Sequence, residues 1–297
     1  MSPVPPLWLV RCGEALNTPD YLVVGHVTRD LVSGGYRIGG TATYAAMTAR
    51  ALGYRVAILT SAASDLPLEE TFAGIALRCV PAAASTTFEN IYYDGHRRQY
   101  VRSVAAPLVP EHVPPEWRGA RIVHLGPLVQ EVDPAMADLF PAATFVGVTP
   151  QGWLRHWDEA GLVSAQAWGS AGYVLKRADA MVLSLEDVGG DQAELERYLA
   201  MARLAAVTQS WQGAVLHCGG RCVTIPAYNV PEVDPTGAGD VFAAAFFIRL
   251  TETGDAEEAG RFANAAASFS IQGEGYSAIA GRAAVEERLR NGELRRA

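Results

Sequence analysis

Short apolar runs alternate with longer Ala-rich stretches along most of the chain. Tyr21-Leu22-Val23-Val24-Gly25-His26 is a compact apolar run with a glycine near its end, which predicts a buried strand. A Gly-rich stretch from Ser33 to Gly40 follows. Thr41 to Leu52 is Ala-rich and helix-prone, and Gly53 is placed to end that helix. Tyr54 to Thr60 returns to strand character. Strand, glycine loop, helix and strand in this order belong to a parallel sheet with helical crossovers. The pattern predicts further strands at Arg121–Leu125, Thr144–Val148, Ala180–Leu183, Ala214–His217 and Arg221–Ile225. It predicts helices at Glu194–Val207, Asp240–Thr251, Ala256–Ile271 and Ala283–Leu289.

Residues 86–101 break this rhythm. Thr86 to Tyr93 and His96 to Val101 are strand-prone arms around Asp94-Gly95, a pair that favours a tight primed turn. The arms are polar and aromatic, so the hairpin is expected to project from the main sheet as a flap. Residues 1–19 read as an irregular Pro-rich arm. No repeat or low-complexity linker divides the chain. The expectation is one domain over residues 1–297, with residues 86–101 and a short 31–38 segment forming a reduced lid.

Composition narrows the function classes. Hydrophobic residues make up 49% of the 297, enough for a sizeable core. The net charge of −8 argues against a nucleic-acid partner, which calls for a basic face. It leaves anionic ligands open, because backbone amides bind phosphate without net positive charge. The four cysteines, Cys12, Cys79, Cys218 and Cys222, match no zinc spacing and make no disulfide scaffold. They read as reduced thiols of a cytoplasmic protein. The first residues lack the pattern of a signal peptide, and no run has the length of a membrane span.

The chemistry concentrates in Asp234-Pro235-Thr236-Gly237-Ala238-Gly239-Asp240, directly before the apolar, helix-capable run Val241 to Phe247. Two glycines around one small residue let the backbone fold tightly and aim N–H groups at one point. The helix N-terminus adds a favourable potential for an anion. This suits the negative charge of a transferring phosphoryl group. Asp240 at the edge of such a site repels phosphate, so it makes little sense for binding. It makes sense as a base that takes a proton from an attacking hydroxyl. An acidic residue favoured only by the helix dipole is the plainer alternative.

The segment resembles the C-terminal signature of the ribokinase-like, or PfkB, carbohydrate kinases, an Asp-Thr-x-Gly-Ala-Gly-Asp turn before an apolar helix. Pro235 stands where the family usually has Thr. Gly39-Gly40 ahead of an Ala-rich helix resembles the family's N-terminal glycine pair. The resemblance implies an α/β fold, a ribokinase-like three-layer sandwich with a mostly parallel central sheet and a small β lid. It implies an ATP-dependent carbohydrate kinase acting on a small sugar or polyol with Mg²⁺, and with neither nucleic acid nor membrane as partner. Asp240 is then the base, and the amides of Gly237, Ala238 and Gly239 form the anion hole. Asp30 holds substrate hydroxyls, Thr28 is a second contact, and Gly39 and Gly40 allow close approach of substrate to backbone. Ser184-Leu185-Glu186-Asp187 stands where the family carries Asn-x-x-Glu. This makes Ser184 a nucleotide contact and Asp187 a Mg²⁺ ligand, both altered from the usual types. His217, Gly219 and Asn264, together with Gly237 and Gly239, complete the nucleotide side. A monovalent cation such as K⁺ would use Asp234 and backbone oxygens near Thr236, Gly273 and Gly275.

Departures from the family bear on the acceptor. Tyr44 replaces the Asn found four residues after the second glycine of the pair in many sugar kinases. Only eight residues separate Asp30 from Gly39, shorter than the usual lid hairpin. Together with Val24-Gly25-His26 and Gly39 to Tyr44, this is most similar to the inositol kinase branch. Gln151 and Arg155, in Thr149-Pro150-Gln151-Gly152-Trp153-Leu154-Arg155, follow a strand end, where open α/β sheets place ligands, and are in reach of a polyol or an acidic substituent. The expected acceptor is myo-inositol or a related polyol. Other sugars, sugar acids and nucleosides remain as acceptors, and a non-catalytic sugar or nucleotide sensor remains as another class. A dinucleotide-dependent oxidoreductase is set aside, because Gly25-His26-Val27 lacks the glycine fingerprint after the first strand. The chain is expected to act as a monomer or homodimer.

Overall fold

The computed structural model describes residues 18–93 and 96–295. Most of the Pro-rich arm, Cys12 and the Asp94-Gly95 turn lie outside the described residues. The chain begins with β1 (Tyr21–Val24), β2 (Thr28–Val32), β3 (Gly35–Gly39) and helix α1 (Thr41–Ala51). Next come β4 (Val56–Ala62), the single turn α2 (Leu68–Thr71), β5 (Ala76–Pro81), β6 (Thr87–Tyr93) and β7 (His96–Ser103). The middle of the chain holds β8 (Ile122–Leu125), β9 (Phe145–Val148), the small hairpin β10 (Arg155–Trp157) and β11 (Val163–Ala165), and α3 (Ala171–Arg177). Then follow β12 (Ala180–Ser184), α4 (Gln192–Met201), β13 (Leu204–Thr208), β14 (Ala214–Cys218) and β15 (Arg221–Ile225). Three helices end the chain: α5 (Ala238–Thr253), α6 (Ala256–Ser270) and α7 (Arg282–Asn291).

Among the described residues the larger sheet runs β15-β14-β13-β12-β9-β8-β1-β4-β5. Its strands from β13 to β5 are parallel, and β14 and β15 close one edge as an antiparallel hairpin. Successive strand side chains point to opposite faces, and both faces are buried. Tyr21 and Val23 join α1, α5, α6 and α7 in one apolar layer. Leu22 and Val24 join α3 and α4 in the other. The result is helix, sheet, helix, a three-layer sandwich.

A second sheet, ordered β3-β2-β6-β7, stands apart from the first. The Gly-rich stretch expected as a loop supplies one of its strands. β2 and β3 form a tight hairpin with Asp30 opposite Arg37, and β2 also pairs in parallel with β6. Alternation is absent there because β3 is exposed from Gly35 to Arg37, and the Ser33–Gly40 stretch holds four glycines.

One helix prediction was wrong in its second half. The helix expected at Glu194–Val207 ends at Met201, and Leu204–Thr208 is β13, inside the parallel sheet. Leu, Ala and Val suit either element over so short a run, and burial between neighbouring strands overrides the helical preference of Ala.

Glu131 anchors the loop after β8. It is 3% exposed, and its carboxylate accepts hydrogen bonds from the backbone N–H groups of His26, Leu128 and Val129 at 2.7–3.1 Å. This ties the ends of β1 and β8 together. Glu131→Ala leaves these buried donors without their acceptor and is expected to lower stability by about 3 kcal/mol. Urea denaturation measures the loss, and a change below about 1 kcal/mol would mean that water or other groups satisfy those donors.

Candidate active site

The parallel strands end on one side of the sheet, and the loops that leave their carboxyl ends form a cleft. Such ends are where open α/β sheets place ligands. α5 starts at this side. Gly237, its N-cap residue, has φ +78°, which glycine adopts without strain. A Cβ at Gly237 would also lie 2.3 Å from the Tyr44 ring, so the glycine is needed twice. Tyr44, on α1, is 3% exposed and forms the wall against which the glycine turn rests.

Asp240 lies in the first turn of α5. Its Oδ1 accepts a hydrogen bond from Thr41 Oγ1 at 2.7 Å. Asp240 is half-buried, and the desolvation of its carboxyl by the protein around it pushes its pKa up to about 6; the Thr41 bond and Arg155 oppose the rise, while Asp187 and Asp30 add to it. Asp30, on β2, is also pushed up to about 6 by burial, against the pull of Thr28 and Arg155. Two carboxyls with raised pKa therefore share one cleft with the guanidinium of Arg155. Burial raises the Tyr44 hydroxyl as well, helped by the charges of Asp30, Asp240 and Asp234.

The sequence-predicted residues divide into three sets. Asp30, Gly39, Gly40, Tyr44, Arg155, Asp187, Gly237 and Asp240 come together. A Cβ at Gly39 would lie 2.1 Å from Asp30 Oδ2, so the first glycine of the pair makes room for that carboxylate. A second set supports the first instead of facing the cleft as expected. Thr28 is fully buried, and its hydroxyl donates to Asp30 Oδ1 at 2.9 Å, so it orients Asp30 and is no direct contact. Gln151 donates from its amide to Asp187 Oδ1 at 2.8 Å. Ser184 donates from N and Oγ to Asp187 Oδ2 at 2.7 and 2.9 Å. Ala238 donates its N–H to Pro235 O at 3.1 Å and closes the turn. Among the described residues the Gly237 and Gly239 amides have no acceptor of this kind.

The third set lies elsewhere. His217 is on β14 with Nδ1 3.3 Å from Cys222 Sγ, and Gly219 sits in the turn to β15. Asn264, on α6, is 7% exposed and donates to the carbonyls of Ile225 and Pro226 at 3.0 and 3.1 Å. Its amide joins α6 to the end of β15, a packing role.

Asp234 does not offer the open cation site that was expected. Its oxygens accept from the Thr236 N–H at 3.0 Å and the Gly275 N–H at 3.4 Å, and Arg37 Nη1 lies 3.2 Å away. Burial works to raise its pKa, but these donors outweigh it and hold the carboxyl below its usual value. The guanidinium already supplies the positive charge. Among the described residues no group of three or more His, Cys, Asp and Glu is placed to hold a metal ion. Asp187 and Glu186 nevertheless wall one cavity of about 160 Å³ with Gln151, Arg155, Gln99 and Ser164.

Residues 178–280 match the model of the pfkB family carbohydrate kinases. A ribokinase of Bacillus subtilis (strain 168) is 49% identical over 65 residues, 22% of each chain. The chain thus matches well under a third of the length of that relative. A pyrophosphate-dependent kinase of the ribokinase family superposes with a TM-score of 0.75 at 20% identity, over 90% of this chain and 99% of that one. A pyrophosphate-dependent myo-inositol-1 kinase, converted by mutation into a myo-inositol-3 kinase, superposes with a TM-score of 0.73 at 18% identity, over 90% and 98%. The fold is ribokinase-like. No helix among the described residues is long and apolar enough to cross a membrane.

Thr41 and Glu131 escaped the sequence reading. Thr41 stands directly after the glycine pair, which was its only local signal.

The raised carboxyls carry a stability cost. A folded-state pKa of about 6 against an ordinary value of 3.8 means that the native state binds more protons between those limits, so stability falls as pH rises through them. Asp240→Asn removes one such charge while keeping an acceptor for Thr41. It is expected to be more stable than the wild type at pH 8 by roughly 1–3 kcal/mol, with the difference shrinking as pH falls below about 6. Urea titrations at pH 8 and pH 5 test this, and a variant less stable at pH 8 would contradict it.

Proposed function

We propose that the protein transfers the terminal phosphoryl group of ATP to a hydroxyl of a sugar or cyclitol, with myo-inositol or a related polyol as the acceptor. The observation that carries this reading is the pairing of Asp240 with the start of α5. A base with pKa near 6 is ionised at neutral pH yet basic enough to accept a proton as the acceptor oxygen attacks. The exposed amides at the helix start stabilise the charge that develops on the phosphoryl oxygens. Asp30, oriented by Thr28, accepts hydrogen bonds from acceptor hydroxyls and fixes which one faces Asp240. The small sheet, carrying Asp30 and Phe88, acts as the lid that keeps water from competing for the phosphoryl group.

Magnesium fits this site in one way only. Both Asp187 oxygens already accept hydrogen bonds, so a dedicated carboxylate cage is absent among the described residues. Mg²⁺ keeps several waters and binds mainly through donor phosphates, so Asp187 and Glu186 would hold its water shell. The ion would supply charge neutralisation for those phosphates.

The donor has a second reading. Two of the superposed structures belong to pyrophosphate-dependent enzymes. In this chain His217 and Gly219 lie beside the start of β13, at the end of the sheet opposite the acidic cleft, and Asn264 is committed to backbone carbonyls. Pyrophosphate needs only the α5 end of the site.

The test combines ATP or pyrophosphate with myo-inositol, ribose, fructose, ketodeoxygluconate and nucleosides, and follows products by ³¹P NMR. Transfer to a polyol is the expected result. Tight binding of a sugar without transfer from either donor would favour the sensor class instead. Asp240→Asn is expected to lower kcat by roughly 10²- to 10⁴-fold with acceptor affinity largely kept, as read by calorimetry. An unchanged rate would remove Asp240 as the base.

A further inference from the structure

Thr41 is 1% exposed and opens α1 directly after Gly40. Its methyl group is lodged against Gly126 at the end of β8: a Cβ built on Gly126 would lie 2.4 Å from Thr41 Cγ2 and 3.3 Å from Thr149 Oγ1. A threonine held by its methyl has little rotamer freedom left, so its hydroxyl direction is set by packing. That direction is toward Asp240 Oδ1, at 2.7 Å. A hydroxyl that donates to a carboxylate favours its ionised form and occupies one of its oxygens. Asp240 Oδ2 is then the oxygen presented to the cleft.

We propose that Thr41, wedged against Gly126, is the positioning residue that orients Asp240 and keeps it ionised, so that a single carboxylate oxygen faces the acceptor hydroxyl. This rests on Asp240 being the base of the reaction proposed above. The groups that face Asp240 come from several elements. Thr41 and Tyr44 belong to α1, Tyr21 to β1, Asp30 to β2, Arg155 to β10, and Asp187 follows β12. Of these, Arg155 is the only cation and Thr41 the hydroxyl in direct hydrogen-bond contact. Asp30 and Asp187 oppose ionisation, so without Thr41 the balance tips toward the protonated acid.

Thr41→Val keeps the shape and the methyl contact and removes the donor. Thr41→Ser keeps the donor and loosens the wedge. In Thr41→Val, kcat is expected to fall roughly 10- to 100-fold, with acceptor KM little changed and the acid limb of the pH–kcat profile moved upward by about one unit. Thr41→Ser is expected to recover most of the rate and the acid limb. A second readout needs no turnover: a pH titration of the ¹³C-labelled Asp240 carboxyl by NMR, assigned by its absence in Asp240→Asn. Its midpoint is expected to rise in Thr41→Val and return in Thr41→Ser. If the wild type transfers phosphate but neither acid limb nor NMR midpoint moves in Thr41→Val, the proposal is overturned and the kinase reading stands. If the wild type phosphorylates nothing, the kinase reading fails, and an unmoved NMR midpoint would separately overturn the Thr41–Asp240 link.

Discussion

A half-buried, desolvated carboxyl at the start of a buried helix is the constraint on which the site depends. Asp240 must carry charge where water is scarce, so its surroundings have to supply what water would. The dipole of α5, the Thr41 hydroxyl and the Arg155 guanidinium do so in part. The compensation is incomplete, and the pKa settles at about 6. For the proposed role as a base that incompleteness is useful: a fully satisfied carboxylate would be a weak base, and an uncompensated one would stay protonated. The helix behind it, Val241 to Ile248, is buried along its whole length and holds the carboxyl fixed.

The same logic extends outward through supports that touch no ligand. Thr28 orients Asp30, Ser184 and Gln151 hold Asp187, and Glu131 gathers the amides of the loop after β8. Each is a buried or half-buried polar group satisfied by a short hydrogen bond, as burial demands. Arg37 is more exposed, at 44% of its side chain, and it joins the two sheets. It reaches from β3 of the small sheet to Asp234 and Glu274, on the loops that flank the glycine turn and follow α6. The small sheet is thereby tied electrostatically to the segment that begins the anion site.

Several features were legible in the chain alone because their causes are local. Apolar runs bounded by glycine marked the parallel strands, since a strand buried on both faces needs little else. The glycine turn before an apolar helix marked the proposed anion site, since only small residues allow that backbone path. Asp30, Asp240 and the glycine pair followed from their places in two matching motifs. Where local signals were shared between structures, the reading failed: Leu204 to Thr208 suits a helix or a strand, and the glycines of β3 concealed its pairing with β2.

What the tertiary structure alone decided is which side chains meet. Thr41 and Asp240 lie 199 positions apart, and Arg37 and Asp234 lie 197 apart. No local periodicity encodes such pairs, because they arise from the stacking of α1 on α5 and the folding of the small sheet over the cleft. The sequence by itself determined the succession of strands and helices along most of the chain, the glycine turn at a helix start and the kinds of residue available for chemistry. Tertiary packing decided that Thr28, Ser184 and Gln151 support carboxylates, that Asn264 joins α6 to β15, and that a guanidinium stands beside Asp234. The physical reason is that a hydrogen bond's direction depends on where two distant backbones come to rest, and burial then fixes it.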